Sequence, residues 1–509
     1  MKSRLLLGID IGTYSSKGVL VREAGEVAAC SIVEHSLDMP RPGHAEHDPE
    51  KVWWHDFRTI CADLLSVSGT DPRRIAGIGI STISPAVVPV DDTGKALRPA
   101  ILYGIDTRAT SEVAELTRLF GRHFDSQSAA PKVLWIRRNE PQVWARTRRI
   151  VNGSGYLVLR LTGEATIDVY DASSFAPLFD SNTRSWSREA ERHIASVDMM
   201  PLPTWACDIA GFVTAEAARE TGLAEGTPVI TGTADAAAEA VSAGLSEVGD
   251  MMVMYGSSTF FILKTATLCT PKGFWSAPFL EEDTSVVAGG TSTAGSLTRW
   301  FRDNFAVPEI DAEKRGGRNA YAALAELSAF SPAGARGLVV LPYFSGERTP
   351  LHDPYAKGMI FGLTLSHTRA DVYRAILESV GYAIRHNIDA LEEQGCVARR
   401  ILAVGGGTQN APWMQMVSDI AGITQHLPEQ QIGASYADAF LAGVGIGMFS
   451  GIGEIARWVR AERVTHSDPR NHALYDDFYR IYRGLYERNA DAMRTLSKIV
   501  DRGGSTRES

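Results

Sequence analysis

Leu5-Leu6-Leu7-Gly8-Ile9-Asp10-Ile11-Gly12-Thr13-Tyr14-Ser15-Ser16-Lys17-Gly18-Val19-Leu20 joins an apolar strand to a second strand through a short turn of glycine and hydroxyl residues. Such a turn can hold phosphate. Gly12 lets the backbone approach a ligand, exposed N–H groups and the Thr13 and Ser15 hydroxyls can donate to phosphate oxygens, and Asp10 can hold a magnesium ion directly or through water. Alone, the pattern also describes an ordinary hairpin. It recurs, however, from Asp250 to Lys264, where Gly256, Ser257 and Ser258 form the turn between two apolar strands. Two such units imply two related halves. If the halves face each other, the turns grip one polyphosphate from opposite sides, with the nucleotide in the cleft between domains.

The chain has 509 residues, 44% hydrophobic and 22% charged, too many for one compact core and ordinary for a soluble protein of two large domains. Its formal net charge is -9 and its basic residues are scattered, which speaks against a nucleic-acid partner. A small anionic substrate would therefore need local donors or a metal. No apolar run is long enough to span a bilayer, and Met1-Lys2-Ser3-Arg4 leads straight into the first strand, leaving no room for a signal peptide. Cys30, Cys61, Cys207, Cys269 and Cys396 are irregularly spaced, as expected of reduced thiols in the cytoplasm. The tail from Arg502 to Ser509 is expected to be frayed.

Further along, the sequence alternates in an α/β pattern. A third strand is expected around Glu26 to Val33, a solvated loop from Pro40 to Pro49, and a helix from about Glu50. Buried-strand candidates are Ile75 to Ile80, Ala86 to Val90, Val229 to Thr231, Gly337 to Leu341 and Ile401 to Val404. Val241 to Gly249 marks a boundary, giving domains of 1–246 and 247–490 and a helix end and tail of 491–509.

Val229 to Ala240 runs from a strand through a glycine turn into an alanine-rich helix, leaving Asp235 at the junction. Facing the positive end of the helix dipole, its carboxylate should stay ionised. The spacing favours an N-cap; the functional alternative is a general base that takes the proton of an attacking alcohol, as phosphoryl transfer requires. Val404 to Gln415 again places glycines between strand and helix. Gly405, Gly406 and Gly407 could lie flat against a purine and Asn410 could bond to base or ribose, or the segment could be only a tight turn. Competing signatures are missing: there is no Walker-type loop, no zinc-spaced His-Glu pair and no Gly-x-Ser-x-Gly elbow. Gly451 to Ala456 reads as a loop, and His44 and His47 with Glu46 and Asp48 read as solvated residues rather than metal ligands.

Together these residues resemble the FGGY family of carbohydrate kinases, over nearly the whole chain. The most specific part is Gly358-Met359-Ile360-Phe361-Gly362-Leu363, followed by Asp371-Val372 and Ala375-Ile376-Leu377-Glu378, which is similar to the family's C-terminal signature. Leu341 to Pro350 looks like the xylulokinase branch. Lys132 to Ile136 meets the other signature only in part, since alanines stand before the lysine.

The resemblance implies an actin-like fold of two ribonuclease H-like ATPase domains with an interdomain cleft that closes over sugar and ATP. It also implies Asp10 at the Mg²⁺ site, Gly12, Thr13, Gly256 and Ser257 on the phosphates, Gly406 and Asn410 on the adenosine, and Asp235 as the base. Where xylulokinases usually carry Gln-Met-His against the sugar, this chain has Ser81-Thr82-Ile83-Ser84-Pro85, a smaller, hydroxyl-bearing wall. Tyr103 to Arg108 resembles the family's Trp-Asn-Asp element, with Asp106 placed to accept from sugar hydroxyls. The expected activity is ATP-dependent phosphorylation of a terminal hydroxyl of a small ketose, D-xylulose first. The alternatives are ribulose, fuculose, erythritol or glycerol as acceptor, or an actin-like ATP switch without catalysis. Family members are often homodimers, and no stretch here marks a dimer surface.

Overall fold

The computed structural model describes residues 4–429 and 432–504. Its centre is the opening segment. Leu5–Ile11 runs antiparallel to Ser15–Arg22, which pairs in turn with Val27–Glu34. On its other side Leu5–Ile11 lies parallel to Ile75–Thr82, and Pro228–Ile230 and Ile209–Phe212 continue the sheet. With Thr233–Ala234 beside the end of Ile75–Thr82, this makes a seven-stranded sheet among the described residues.

The second half repeats the plan. Asp250–Tyr255 runs antiparallel to Thr259–Thr265, which pairs with Ser285–Thr291, and lies parallel to Arg400–Val404. Trp275–Pro278 closes one edge, and Gln425–Pro428 and Ala461–Thr465 the other. Trp275–Pro278 apart, the neighbouring strands Ser285–Thr291, Thr259–Thr265, Asp250–Tyr255 and Arg400–Val404 match Val27–Glu34, Ser15–Arg22, Leu5–Ile11 and Ile75–Thr82 in order, which supports the duplication inferred from the two turns. The strands expected at Ile75, Val229, Gly337 and Ile401 are present within a few residues, while only Val88–Val90 of the Ala86 segment is strand.

Two helices of small residues sit between the halves, Asp235–Ser242 and Ala434–Gly445. Side chains from both sheets, among them Leu6, Val19 and Val21 from the first and Met252, Ile262 and Leu402 from the second, share one buried core with Ala237, Val241, Ala437 and Phe440 of these helices. The Ala434–Gly445 helix meets the first sheet with no side chains intervening at Gly8 and Gly79. A Cβ on Gly8 would lie 1.9 Å from the Ser435 carbonyl oxygen, and one on Gly79 would lie 2.0 Å from that of Asp438. These glycines permit a helix backbone to rest on a sheet backbone.

The helix expected from about Glu50 is present: Pro49–Trp54 is a π-helix, capped by the Asp48 carboxylate accepting from the Glu50 and Lys51 amides, and it continues as the α-helix His55–Ser68. Three other expectations need correction. The loop before it is solvated only at its start, Pro40 to Pro42. Ala45, Glu46 and His47 are buried, Glu46 pairs with Arg98 and Arg108, and the Trp53 indole donates to His47 at 3.0 Å. Gly451 opens a 3-10 helix, Ile452–Arg457, whose Ile452 and Ile455 enter the shared core. The final helix, Pro469–Gly504, runs into the stretch expected as a tail, the rest of which lies outside the described residues.

Gly79→Ala places a methyl group where a carbonyl already sits, so we expect a loss of about 3 kcal/mol or more of stability. A lowered urea midpoint for the purified variant checks this.

Candidate active site

The first turn is tight. Gly12 N–H donates to the Ser15 carbonyl at 2.9 Å, and a Cβ on Gly12 would lie 2.8 Å from that oxygen. Thr13 is half-buried, with its hydroxyl 2.9 Å from the Tyr103 hydroxyl, whereas Tyr14 and Ser15 are exposed. The second turn is held by the start of the Gly295–Phe305 helix. Gly295 N–H donates to the Gly256 carbonyl at 3.0 Å, and the Ala294 and Ser296 N–H groups donate to the Ser257 carbonyl, each at 2.9 Å. In a trans peptide the N–H points away from the C=O, so bonding these carbonyls from behind turns the Ser257 and Ser258 N–H groups the other way. Ser257 is exposed and Ser258 half-buried, which leaves donors for a polyanion.

Gly405, at φ +91, turns the chain where a Cβ would meet the Tyr255 backbone at 2.9 Å, and Gly406 is open on the side a Cβ would take. Asn410 closes the turn as a helix cap. Its Oδ1 caps the Ala411–Ala421 helix by accepting from Trp413 N–H at 3.1 Å, leaving the amide nitrogen without a partner among the described residues. Gly407 lies against Tyr255 and Trp413, below this turn.

Asp235 is the first residue of its helix rather than the N-cap, which is Ala234. Gly232, at φ +74, brings the chain against Ile80, where a Cβ would lie 2.2 Å from the Ile80 carbonyl oxygen. Asp235 accepts from the Ala236 N–H at 2.7 Å, yet burial first, and Asp10 second, raise its carboxyl well above the usual range. In the ligand-free site, burial therefore opposes the helix dipole, which favours the ionised form. Burial also raises Asp10, to about 7, opposed by Ser81 and increased by Glu239. Asp438 is raised by burial, then by Asp10. The Ser81 hydroxyl lies 2.9 Å from Asp10 Oδ1 and 2.7 Å from Asp438 Oδ2. Since it has one proton, the second bond needs a protonated carboxyl, in agreement with both shifts.

Three of the expected sugar contacts, Ser81, Thr82 and Asp106, are buried in this ligand-free structure. Ser81 and Thr82 are fully buried, Ser81 behind Asp10 and Thr82 against Gly153. The Asp106 carboxylate is also fully buried. It accepts from Ala45 N–H at 2.7 Å and pairs with Arg108, Nη2 to Oδ2, at 2.7 Å, which corrects its reading as an open acceptor for sugar hydroxyls. Tyr103 is near Asp235, whose charge raises the phenol further after burial has done so. Glu239 and Asp438 were not anticipated. Asp438 was legible as the acid in an otherwise small and apolar helix; Glu239 accepts from the Ala434 N–H at the start of that helix.

Family models match along the chain: the N-terminal domain of the FGGY family of carbohydrate kinases at residues 5–242 and its C-terminal domain at 251–444. The chain belongs to this family. It is 29% identical to the xylulose kinase of Lactococcus lactis subsp. lactis (strain IL1403), covering 98% of this chain and 99% of that one. With the xylulose kinase of Escherichia coli (strain K12) it shares 30% identity over 95% and 99% of the two chains. The crystal structure of xylulose kinase from Rhodospirillum rubrum superposes with a TM-score of 0.89 at 33% identity, covering 96% of this chain and 100% of that one. The fold is accordingly actin-like, two mixed α/β domains with a cleft, and the activity is that of a carbohydrate kinase.

The raised Asp10 sets a pH dependence for the ligand-free protein. A carboxyl raised from 3.8 to about 7 favours the folded state while protonated, so its contribution is full below 3.8 and is lost as pH rises through about 7. Urea unfolding across this range should show that decline, and Asp10→Asn should remove part of it.

Proposed function

We propose that the chain is an ATP-dependent kinase that phosphorylates a terminal hydroxyl of D-xylulose and acts in the cytoplasm. The observation that carries this is Asp235 at the start of a helix in the glycine-lined hinge, beside Asp10 and the Tyr103–Thr13 contact. D-xylulose as acceptor is supported by full-length similarity to xylulose kinases. The five thiols are free, Cys269 and Cys396 meeting at 3.1 Å, and no helix among the described residues is long and apolar enough to cross a membrane. We assign acceptor binding and the base to 1–246 and nucleotide binding to 247–490.

In this reading the Gly12–Ser15 and Gly256–Ser258 turns offer N–H and hydroxyl donors to the phosphates, and Gly405–Gly407 with Asn410 takes the adenosine. Asp235 orients the acceptor hydroxyl and accepts its proton as the new oxygen–phosphorus bond forms and the bond from the γ-phosphorus to the departing ADP breaks. Its raised pKa makes it a stronger base once it is ionised. The residues fit Mg²⁺: the Asp10 charge raises the Asp235 carboxyl, a crowding that a cation relieves. Among the described residues no three His, Cys, Asp or Glu side chains enclose a metal, as suits an ion held by one or two carboxylates and by phosphates. Bound there, Mg²⁺ would neutralise phosphate charge. Domain closure would exclude water from the transfer.

One observation favours a second acceptor. Where the resemblance led us to expect sugar-contacting side chains, Ser81 and Ser84 are bonded to buried aspartates, Asp10 and Asp438 for the first and Asp171 for the second. This wall gives the sugar fewer free hydrogen-bonding groups, and such a change can shift discrimination by orders of magnitude.

ATP consumption by purified protein with Mg²⁺ over a panel of pentuloses, hexuloses and polyols tests both readings. D-xylulose should stimulate turnover most strongly, and Asp235→Asn should lower kcat by roughly 10²–10⁴-fold with ATP binding retained. Equal turnover with and without every acceptor, or near-normal activity in the variant, would refute the proposal.

A further inference from the structure

The two phosphate turns are supported from behind by different chemistry. In the second half, backbone N–H groups of Ala294, Gly295 and Ser296 bond the turn's carbonyls. In the first half, His35 holds two of the turn's carbonyls. The His35 N–H donates to the Tyr14 carbonyl at 2.9 Å, and the His35 ring nitrogen Nε2 lies 3.1 Å from the Gly12 carbonyl. The other ring nitrogen, Nδ1, lies 2.8 Å from Asp56 Oδ2, and the side chains of His35 and Asp56 are 7% and 3% exposed.

A backbone carbonyl only accepts, so Nε2 must donate to Gly12. The Asp56 oxygen also accepts from the Ser16 hydroxyl at 2.7 Å, so the Nδ1 bond is strongest when that nitrogen donates too. The ring thus spans from Asp56 to the turn. His47, whose ring centre is 5.0 Å from that of His35, is lowered to about 4 by burial and by His35, and so brings no competing charge. Its neighbour Glu46 is paired with Arg98 and Arg108.

We propose that His35, held by Asp56, is a positioning residue for the nucleotide: its ring N–H fixes the Gly12 carbonyl and thereby aims the Thr13 N–H at the phosphates. The peptide plane carries the effect. With the Gly12 oxygen bonded behind the turn, the Thr13 N–H of the same trans peptide points to the opposite side, and the bond to the Tyr14 carbonyl does the same for Ser15. The first turn therefore depends on a side chain where the second depends on backbone alone. This inference rests on the reading that the turn binds phosphate.

The test is calorimetric titration with the magnesium complex of a non-hydrolysable ATP analogue, without acceptor, at neutral pH. His35→Gln places an amide nitrogen near the position of Nε2, so it keeps a donor. His35→Ala keeps none, and its circular dichroism and melting are checked first. Wild type and His35→Gln should bind within about threefold of one another, and His35→Ala about tenfold more weakly. Affinity as weak in His35→Gln as in His35→Ala, or unchanged affinity in a folded His35→Ala, would overturn the inference. A kinase whose nucleotide affinity ignores His35 would refute this inference and leave the proposed function standing. Affinity that follows His35 in a protein that phosphorylates no acceptor would do the reverse.

Discussion

The backbone of the Ala434–Gly445 helix rests directly on the first sheet at Gly8 and Gly79, and much of the molecule follows from that contact. A helix that close needs residues without bulk on both surfaces, which accounts for the alanine and glycine content of the segment. It also places an element from late in the chain against the first strands, so the two sheets share one core instead of packing as separate bodies. Asp438 is carried on this helix to the Ser81 hydroxyl, and through it to Asp10. The seam that joins the halves thus also organises the acidic side of the cleft.

That side is electrostatically crowded. Asp10, Asp235, Glu239 and Asp438 are all raised, chiefly by burial. In the proposed function, such a group of acids, once ionised, would call for a cation between them and the phosphates. The same burial makes Asp235 a better proton acceptor than an exposed carboxylate of ordinary pKa.

The strand-turn-strand units were legible in the sequence because everything that makes them is local: apolar strands and a glycine turn within about twenty residues. The α/β order and the position of Asp235 at a helix start were legible for the same reason. What escaped was set by distant partners. Glu46 and His47 look solvated until Arg98, Arg108 and Trp53 are folded over them. Asp106 looks like a free acceptor, although its partner Arg108 was two residues away, because sequence does not show which way the guanidinium turns. His35 and Asp438 gain their roles only from residues brought to them by the fold.

The central claim is that the two turns face one polyphosphate with Asp235 at the acceptor. A crystal structure with Mg²⁺, a non-hydrolysable ATP analogue and D-xylulose tests it most directly. The account predicts phosphates between Gly12–Ser15 and Gly256–Ser258, and the sugar's terminal hydroxyl within hydrogen-bonding distance of the Asp235 carboxylate. Phosphates bound away from either turn, or a sugar whose hydroxyls do not reach Asp235, would contradict it.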